Sequence, residues 1–156
     1  MDLYIINLER ALDYMPTNRT YAIGIESAAY PSHMELEKSR LYTIQKYVFD
    51  DITPHTPFSQ RTRMKLFDES TAGKILVDFR EQGLGHDTLL VYCLRGINRS
   101  PAVGIALNEI FTLGRDTNKL KKQFPETNWF VYDTLLEMAR KLKCTEFSTP
   151  SIIGGV

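Results

Sequence analysis

The chain has 156 residues, enough for one domain with a real hydrophobic core. Nineteen basic and nineteen acidic residues cancel, so no global basic field points to nucleic acid and no acidic tail points to an interaction arm. No apolar run is long enough to span a membrane, and the start Met1-Asp2-Leu3-Tyr4 lacks the basic region of a signal peptide.

In chain order, Leu3 to Asn7 predicts a short strand, and Leu8 to Met15 a helix that Pro16 ends. Tyr21 to Ile25 predicts a second strand. Glu35 to Ser39 reads as a polar connection or a short helix. Leu41 to Phe49 leans to β structure, most strongly at Tyr47-Val48-Phe49. Asp50 to Phe58, with Pro54 and Pro57, is a long loop of the kind that carries function. Asp68-Glu69-Ser70 starts a helix whose Ala72, Ile75, Leu76 and Phe79 recur at helical spacing, and Gly83-Leu84-Gly85 ends it.

Leu89 to Tyr92 predicts a buried strand, and Ser100 to Leu107 a buried helix that follows almost at once. Thr117 to Gln123 predicts a short basic helix. Pro125 to Asn128 is a break, and Trp129 to Leu142 a final amphipathic helix. Strands alternating with helices predict a single α/β domain, with a mostly parallel central sheet and helices on both faces. The domain is expected over residues 1–147, with a loose tail over 148–156.

The chemistry concentrates in Cys93-Leu94-Arg95-Gly96-Ile97-Asn98-Arg99-Ser100. This segment joins the end of a strand to the N-terminus of a helix, where main-chain N–H groups lack partners and an anion is favoured. A thiol at such a place ionises more readily than a free one, and an arginine there grips an oxyanion with two parallel hydrogen bonds. A cysteine followed by glycine three on, arginine six on and serine or threonine seven on arises by chance roughly once per 2,000 cysteines.

Cys93 is therefore the expected nucleophile and Arg99 the clamp on phosphoryl oxygens. Gly96 is expected to take a left-handed conformation that turns N–H groups inward. Ser100 fits two roles, as cap of the helix that Pro101 begins and as hydroxyl donor to the sulfur. Arg95 reads equally as a second anion contact or an exposed charge. The leaving oxygen needs a proton donor, and Asp50 and Asp51 are the candidates at the mouth of the preceding strand. If Phe49 faces the core, strand alternation puts Asp51 on the same side, so Asp51 is preferred. The competing reading makes both turn-forming aspartates.

These residues resemble the cysteine-dependent protein phosphatase superfamily, and within it the dual-specificity-like branch. Its signature is His-Cys, five residues, Arg, then Ser or Thr. A closer resemblance is to small bacterial predicted tyrosine phosphatases, which carry a segment like Phe49-Asp50-Asp51-Ile52. Phe124-Pro125-Glu126-Thr127-Asn128-Trp129-Phe130 resembles the turn before that family's last helix. The likeness covers roughly residues 20–142. It implies a dual-specificity-phosphatase-like fold, a phosphocysteine at Cys93, and phosphate held by Arg99 and the amides of Leu94, Arg95, Gly96, Ile97, Asn98 and Arg99. It also implies an aspartate that donates a proton first and activates water second. Tyr92 stands where the signature has histidine, which removes a group that helps set the thiol's ionisation and none that makes or breaks bonds.

The expected partner is a phosphorylated protein, with phosphotyrosine favoured and phosphate or similar oxyanions as ligands. Tyr92, Phe58 and Trp129 are candidate walls for an aryl ring. No nucleic acid, membrane, cofactor or metal is expected, since His33, His55 and His86 share no ligand spacing. Two alternatives stand beside hydrolysis. One is a phosphate-binding module without turnover. The other is thiol chemistry such as arsenate reduction, for which Cys144 would have to serve as resolving thiol. A Cys93–Cys144 disulfide would consume the nucleophile, so a reducing, cytoplasmic setting is expected.

Overall fold

The computed structural model describes residues 1–143. The expected tail over 148–156, the boundary at 147 and Cys144 lie outside the described residues.

Strand β1 runs Asp2–Asn7 and passes directly into helix α1, Leu8–Asp13, whose first turn is capped by Asn7 Oδ1 accepting from Arg10 N. Strands β2 (Thr20–Glu26) and β3 (Tyr42–Val48) follow, joined by an irregular connection with no helix at Glu35 to Ser39. A long excursion after β3 carries a single 3₁₀ turn at Phe58–Gln60. Helix α2, Glu69–Asp78, starts at Asp68, whose carboxylate accepts from Thr71 N at 2.7 Å. It runs into a π turn over Phe79–Gly83, where the Phe79 ring lies so close to Gly83 that a Cβ there would meet it at 2.3 Å.

Strand β4 (Thr88–Cys93), helix α3 (Arg99–Phe111), helix α4 (Thr117–Gln123) and helix α5 (Trp129–Leu142) complete the chain. The four strands are all parallel in the order β1-β4-β2-β3. The architecture is thus α/β with a parallel central sheet and helices on both faces. Among the described residues no helix is long and apolar enough to cross a membrane.

Every residue of β4 is buried, as a central parallel strand requires. Its side chains alternate between two cores. Leu89, Val91 and Cys93 face α2, α3 and α5, while Leu90 and Tyr92 face Ala11 of α1 and Leu36 of the 27–41 connection. Tyr92 therefore points away from the sulfur of its neighbour. Its ring lies over Gly24 of β2, its register partner, where a Cβ would come within 2.5 Å of the phenol oxygen. Because the strands are parallel, the ends of β2, β3 and β4 open on one side of the sheet, and the loops carrying Ser27, Asp50-Asp51 and Cys93 meet there.

Candidate active site

The site begins with the backbone. β4 ends at Cys93 and α3 begins at Arg99, which leaves five residues to reverse from strand to helix. Gly96 makes this possible. Its φ is +70°, and a Cβ there would meet Asn7 N at 2.6 Å and Ile6 C at 2.7 Å. The conformation and the space both demand glycine, because the loop rests directly on the end of β1.

The loop curls over the sulfur. Gly96 N donates to Cys93 Sγ at 3.3 Å and Ser100 N donates at 3.4 Å. The Ser100 hydroxyl lies 3.2 Å from the same sulfur. Cys93 is 2% exposed, at the floor of a crevice of about 330 Å³ counting its open mouth.

One expectation needs correction. Ser100 does not cap the helix. α3 begins a residue earlier, at Arg99, with Asn98 in the cap position and no side-chain cap bond. The sharp turn at Gly96 brings the chain into helical geometry sooner, and the first-turn amide of Ser100 is spent on the sulfur. Pro101 still lies within the first turn, where its missing N–H costs nothing.

Arg99 is buried and its Nη1 donates to Phe49 O at 3.0 Å. The guanidinium thus spans from the cysteine loop to the end of β3. Arg95 and Leu94 are exposed on the rim, and Leu94 O accepts from Leu8 N at 3.4 Å. Ile97 is half-buried. The Asn98 side chain turns away from the sulfur and donates to Glu126 O at 2.7 Å.

The two aspartates have different surroundings. β3 ends at Val48 and the chain then turns, so strand alternation does not reach Asp51. Phe49 is fully buried. Asp50 is buried, and its carboxylate accepts from the Ser27 hydroxyl, from Ala28 N at 3.1 Å and from Lys65 N at 2.7 Å. These donors satisfy a charge that would otherwise be costly to bury. They also tie the 27–41 connection to both ends of the excursion after β3. Asp51 is exposed, and its Oδ1 accepts from Asn128 Nδ2 at 2.9 Å.

Asn128 is the residue that sequence reasoning missed. It was legible only as part of a break, although an Asn just before an amphipathic helix is also a cap signal. Its Oδ1 accepts from Val131 N at 3.2 Å, which caps α5. Its Nδ2 binds both Asp51 and Ile52 O, and its main-chain N–H binds Asn98 O at 3.0 Å. One residue, through its side chain and its main chain, therefore joins the last helix, the aspartate loop and the cysteine loop.

The crevice at Cys93 is walled by Leu8, Ile25, Tyr30, Tyr92 and Leu94. Of the three aromatic walls expected, Tyr92 lines it. Trp129 packs edge-on against Tyr132, and Phe58 stands exposed with the Arg61 guanidinium 4.6 Å from its ring centre. Tyr30, exposed on the 27–41 connection, was not anticipated. The Tyr92 hydroxyl is buried and has no hydrogen-bond partner among the described residues. Burial, with a lesser push from Glu26 and Glu35, raises its pKa to about 12.

Among the described residues no three histidine, cysteine or carboxylate side chains come together as a metal site. Comparison with known proteins adds no family assignment: no protein-family model matches the chain, and no curated protein sequence does either.

Proposed function

We propose that the protein is a phosphomonoester hydrolase of the dual-specificity-like kind, acting on phosphorylated protein with phosphotyrosine favoured. The observation that carries this reading is the pair of main-chain N–H groups, from Gly96 and Ser100, directed at the sulfur of Cys93 beneath a loop that a buried arginine closes. These are donors that an anionic sulfur accepts.

In the proposed reaction the Cys93 thiolate attacks phosphorus in line with the ester oxygen. A sulfur–phosphorus bond forms and the phosphorus–oxygen bond to the leaving group breaks. Asp51 gives its proton to the departing oxygen, so the alcohol or phenol leaves neutral. Arg99 and the loop amides hold the equatorial oxygens as charge spreads over them. Water then attacks phosphorus, Asp51 takes its proton, and the sulfur leaves with the Ser100 hydroxyl turned toward it. The products are inorganic phosphate and the free thiolate.

Asp51 is preferred over Asp50 because Asp50 accepts hydrogen bonds from Ser27, Ala28 and Lys65, whereas Asp51 faces solvent with one donor on it. A reducing, cytoplasmic setting suits a free Cys93. The test is hydrolysis of p-nitrophenyl phosphate by the unmodified protein and by Cys93→Ser. The reading requires turnover in the first and none in the second; equal activity, or none in either, would refute it.

A further inference from the structure

β1 is a margin of the sheet, with β4 on one side and no strand of the described residues on the other. Successive residues of a strand direct their main-chain groups to opposite sides. Asp2 N donates inward to Asp87 O, so Leu3 and Ile5 direct theirs outward. Arg115 confirms the parity by donating through Nη1 to Leu3 O at 3.1 Å across that open side.

The margin is also set back. α4 stands off from β1 and leaves a groove of about 580 Å³, counting its open mouth, between the strand and Leu120, Gln123 and Phe124. Arg115 lines the groove beside Leu3, and Arg10 lines it toward the other end of the strand. No carboxylate lines it among the described residues. In a chain with no net charge, this is a local cationic slot along the outer edge of β1. It leads to the cysteine loop, because Gly96 packs on Ile6 and Asn7 at the end of β1.

We propose that this groove docks an extended, acidic segment of a protein substrate, which adds as a fifth strand beside β1. The proposal rests on the phosphatase reading of Cys93 and extends it to substrate selection. The Leu3 N–H and the outward groups of Ile5 supply main-chain pairing, while Arg115 keeps the Leu3 carbonyl and its remaining N–H groups, with the Arg10 guanidinium, select carboxylates on the segment. A strand there lies two strand spacings, roughly 10 Å, from β4, the strand that ends at Cys93, and one spacing beyond the strand that abuts the loop. A phosphorylated residue just past the paired segment then reaches the sulfur.

The experiment uses a fluorescent hexapeptide alternating glutamate and valine, with the full chain. Saturable binding is expected, with none for the lysine–valine counterpart. Methylating every second peptide amide is expected to weaken binding ~10-fold or more, because pairing is lost while charge is kept. Arg10→Glu is expected to weaken binding by about 10-fold while p-nitrophenyl phosphate turnover stays unchanged. A phosphotyrosine peptide with the acidic flank should show a lower KM than one with a lysine flank, and Arg10→Glu should erase the difference.

Binding that ignores amide methylation would overturn the proposal in favour of bare charge attraction. A dimer that buries β1 and resists the peptide would overturn it in favour of a second copy. Turnover of p-nitrophenyl phosphate with no flank preference would overturn docking alone. Absence of all turnover would overturn the phosphatase reading and, with it, the assignment of the groove to substrate.

Discussion

Asn128 Nδ2 lies 2.9 Å from Asp51 Oδ1, and the same side chain caps α5 through its Oδ1. A carboxyl on an otherwise exposed loop is thereby aimed by a residue seventy-seven positions later in the chain. Main-chain bonding of Asn128 to Asn98 ties that aim to the cysteine loop.

Removing the aim should cost rate before it costs the fold. Asn128→Ala is expected to lower kcat on phenyl phosphate by ~10-fold, and less on p-nitrophenyl phosphate, whose oxygen leaves without much help. Loss of the cap should destabilise the protein by about 1 kcal/mol. Leaving-group dependence and thermal melting together check this. A uniform loss on both substrates would mean that Asn128 acts on the fold alone.

The paired aspartates should separate cleanly. Asp51→Asn is expected to fold normally, to lose ~100-fold on phenyl phosphate and to lose the basic limb of the rate–pH profile. Asp50→Asn is expected to destabilise the protein by about 1–3 kcal/mol, since a buried carboxylate with three donors becomes an amide facing N–H groups. A well-folded Asp50→Asn that alone lost the basic limb would exchange the two roles.

Much of the fold was legible because its signals are local. Thr117 to Gln123 and Trp129 to Leu142 were read with the bounds the structure has, since the break at Pro125 to Asn128 separates them and apolar spacing marks the second. Leu89 to Tyr92 was readable because a strand buried on both faces is apolar throughout. The positive φ at Gly96 followed from the need to turn inside a short loop. What stayed hidden depends on contacts between distant residues. The fit of Tyr92 over Gly24, the bonds that bury Asp50, and the reach of Asn128 to Asp51 join segments that no periodicity connects. Ser100 was misread as a cap because its hydroxyl suits either a helix end or a nearby sulfur.

The Tyr92–Gly24 fit gives a packing prediction. Gly24→Ala should destabilise the protein by about 1–3 kcal/mol, because its methyl would meet the phenol oxygen at 2.5 Å and the ring carbon bearing it at 2.6 Å. Tyr92→Phe should be neutral or stabilising by up to about 1 kcal/mol, since it deletes a buried hydroxyl that has no partner. Urea unfolding of both variants checks the pair. A Tyr92→Phe variant clearly less stable than the parent would mean that the hydroxyl is bonded after all.

Alkali should unfold the protein through its phenols. Burial raises the pKa of Tyr21, Tyr42 and Tyr92 from 10.0 to about 12. Tyr47 is raised by burial first and by its bond to Asp78 second. A group whose folded pKa lies above its unfolded one contributes stability that is complete below the unfolded value and is lost as pH rises toward the folded value. The phenols' contribution to stability should therefore be level below pH 10 and fall between about 10 and 12. Phenolate absorbance should appear together with the loss of far-ultraviolet ellipticity. Phenolate absorbance complete well before unfolding would show that these rings are accessible.

The bond from Arg99 to Phe49 O leaves only one residue between the anchored carbonyl and Asp51. Cation and carboxyl are thus spaced by a stretch of covalent backbone, with no hinge between them. On the phosphatase reading proposed above, the two groups need no closing flap to meet, and turnover should be insensitive to added glycerol or sucrose once diffusion of the ester itself is allowed for.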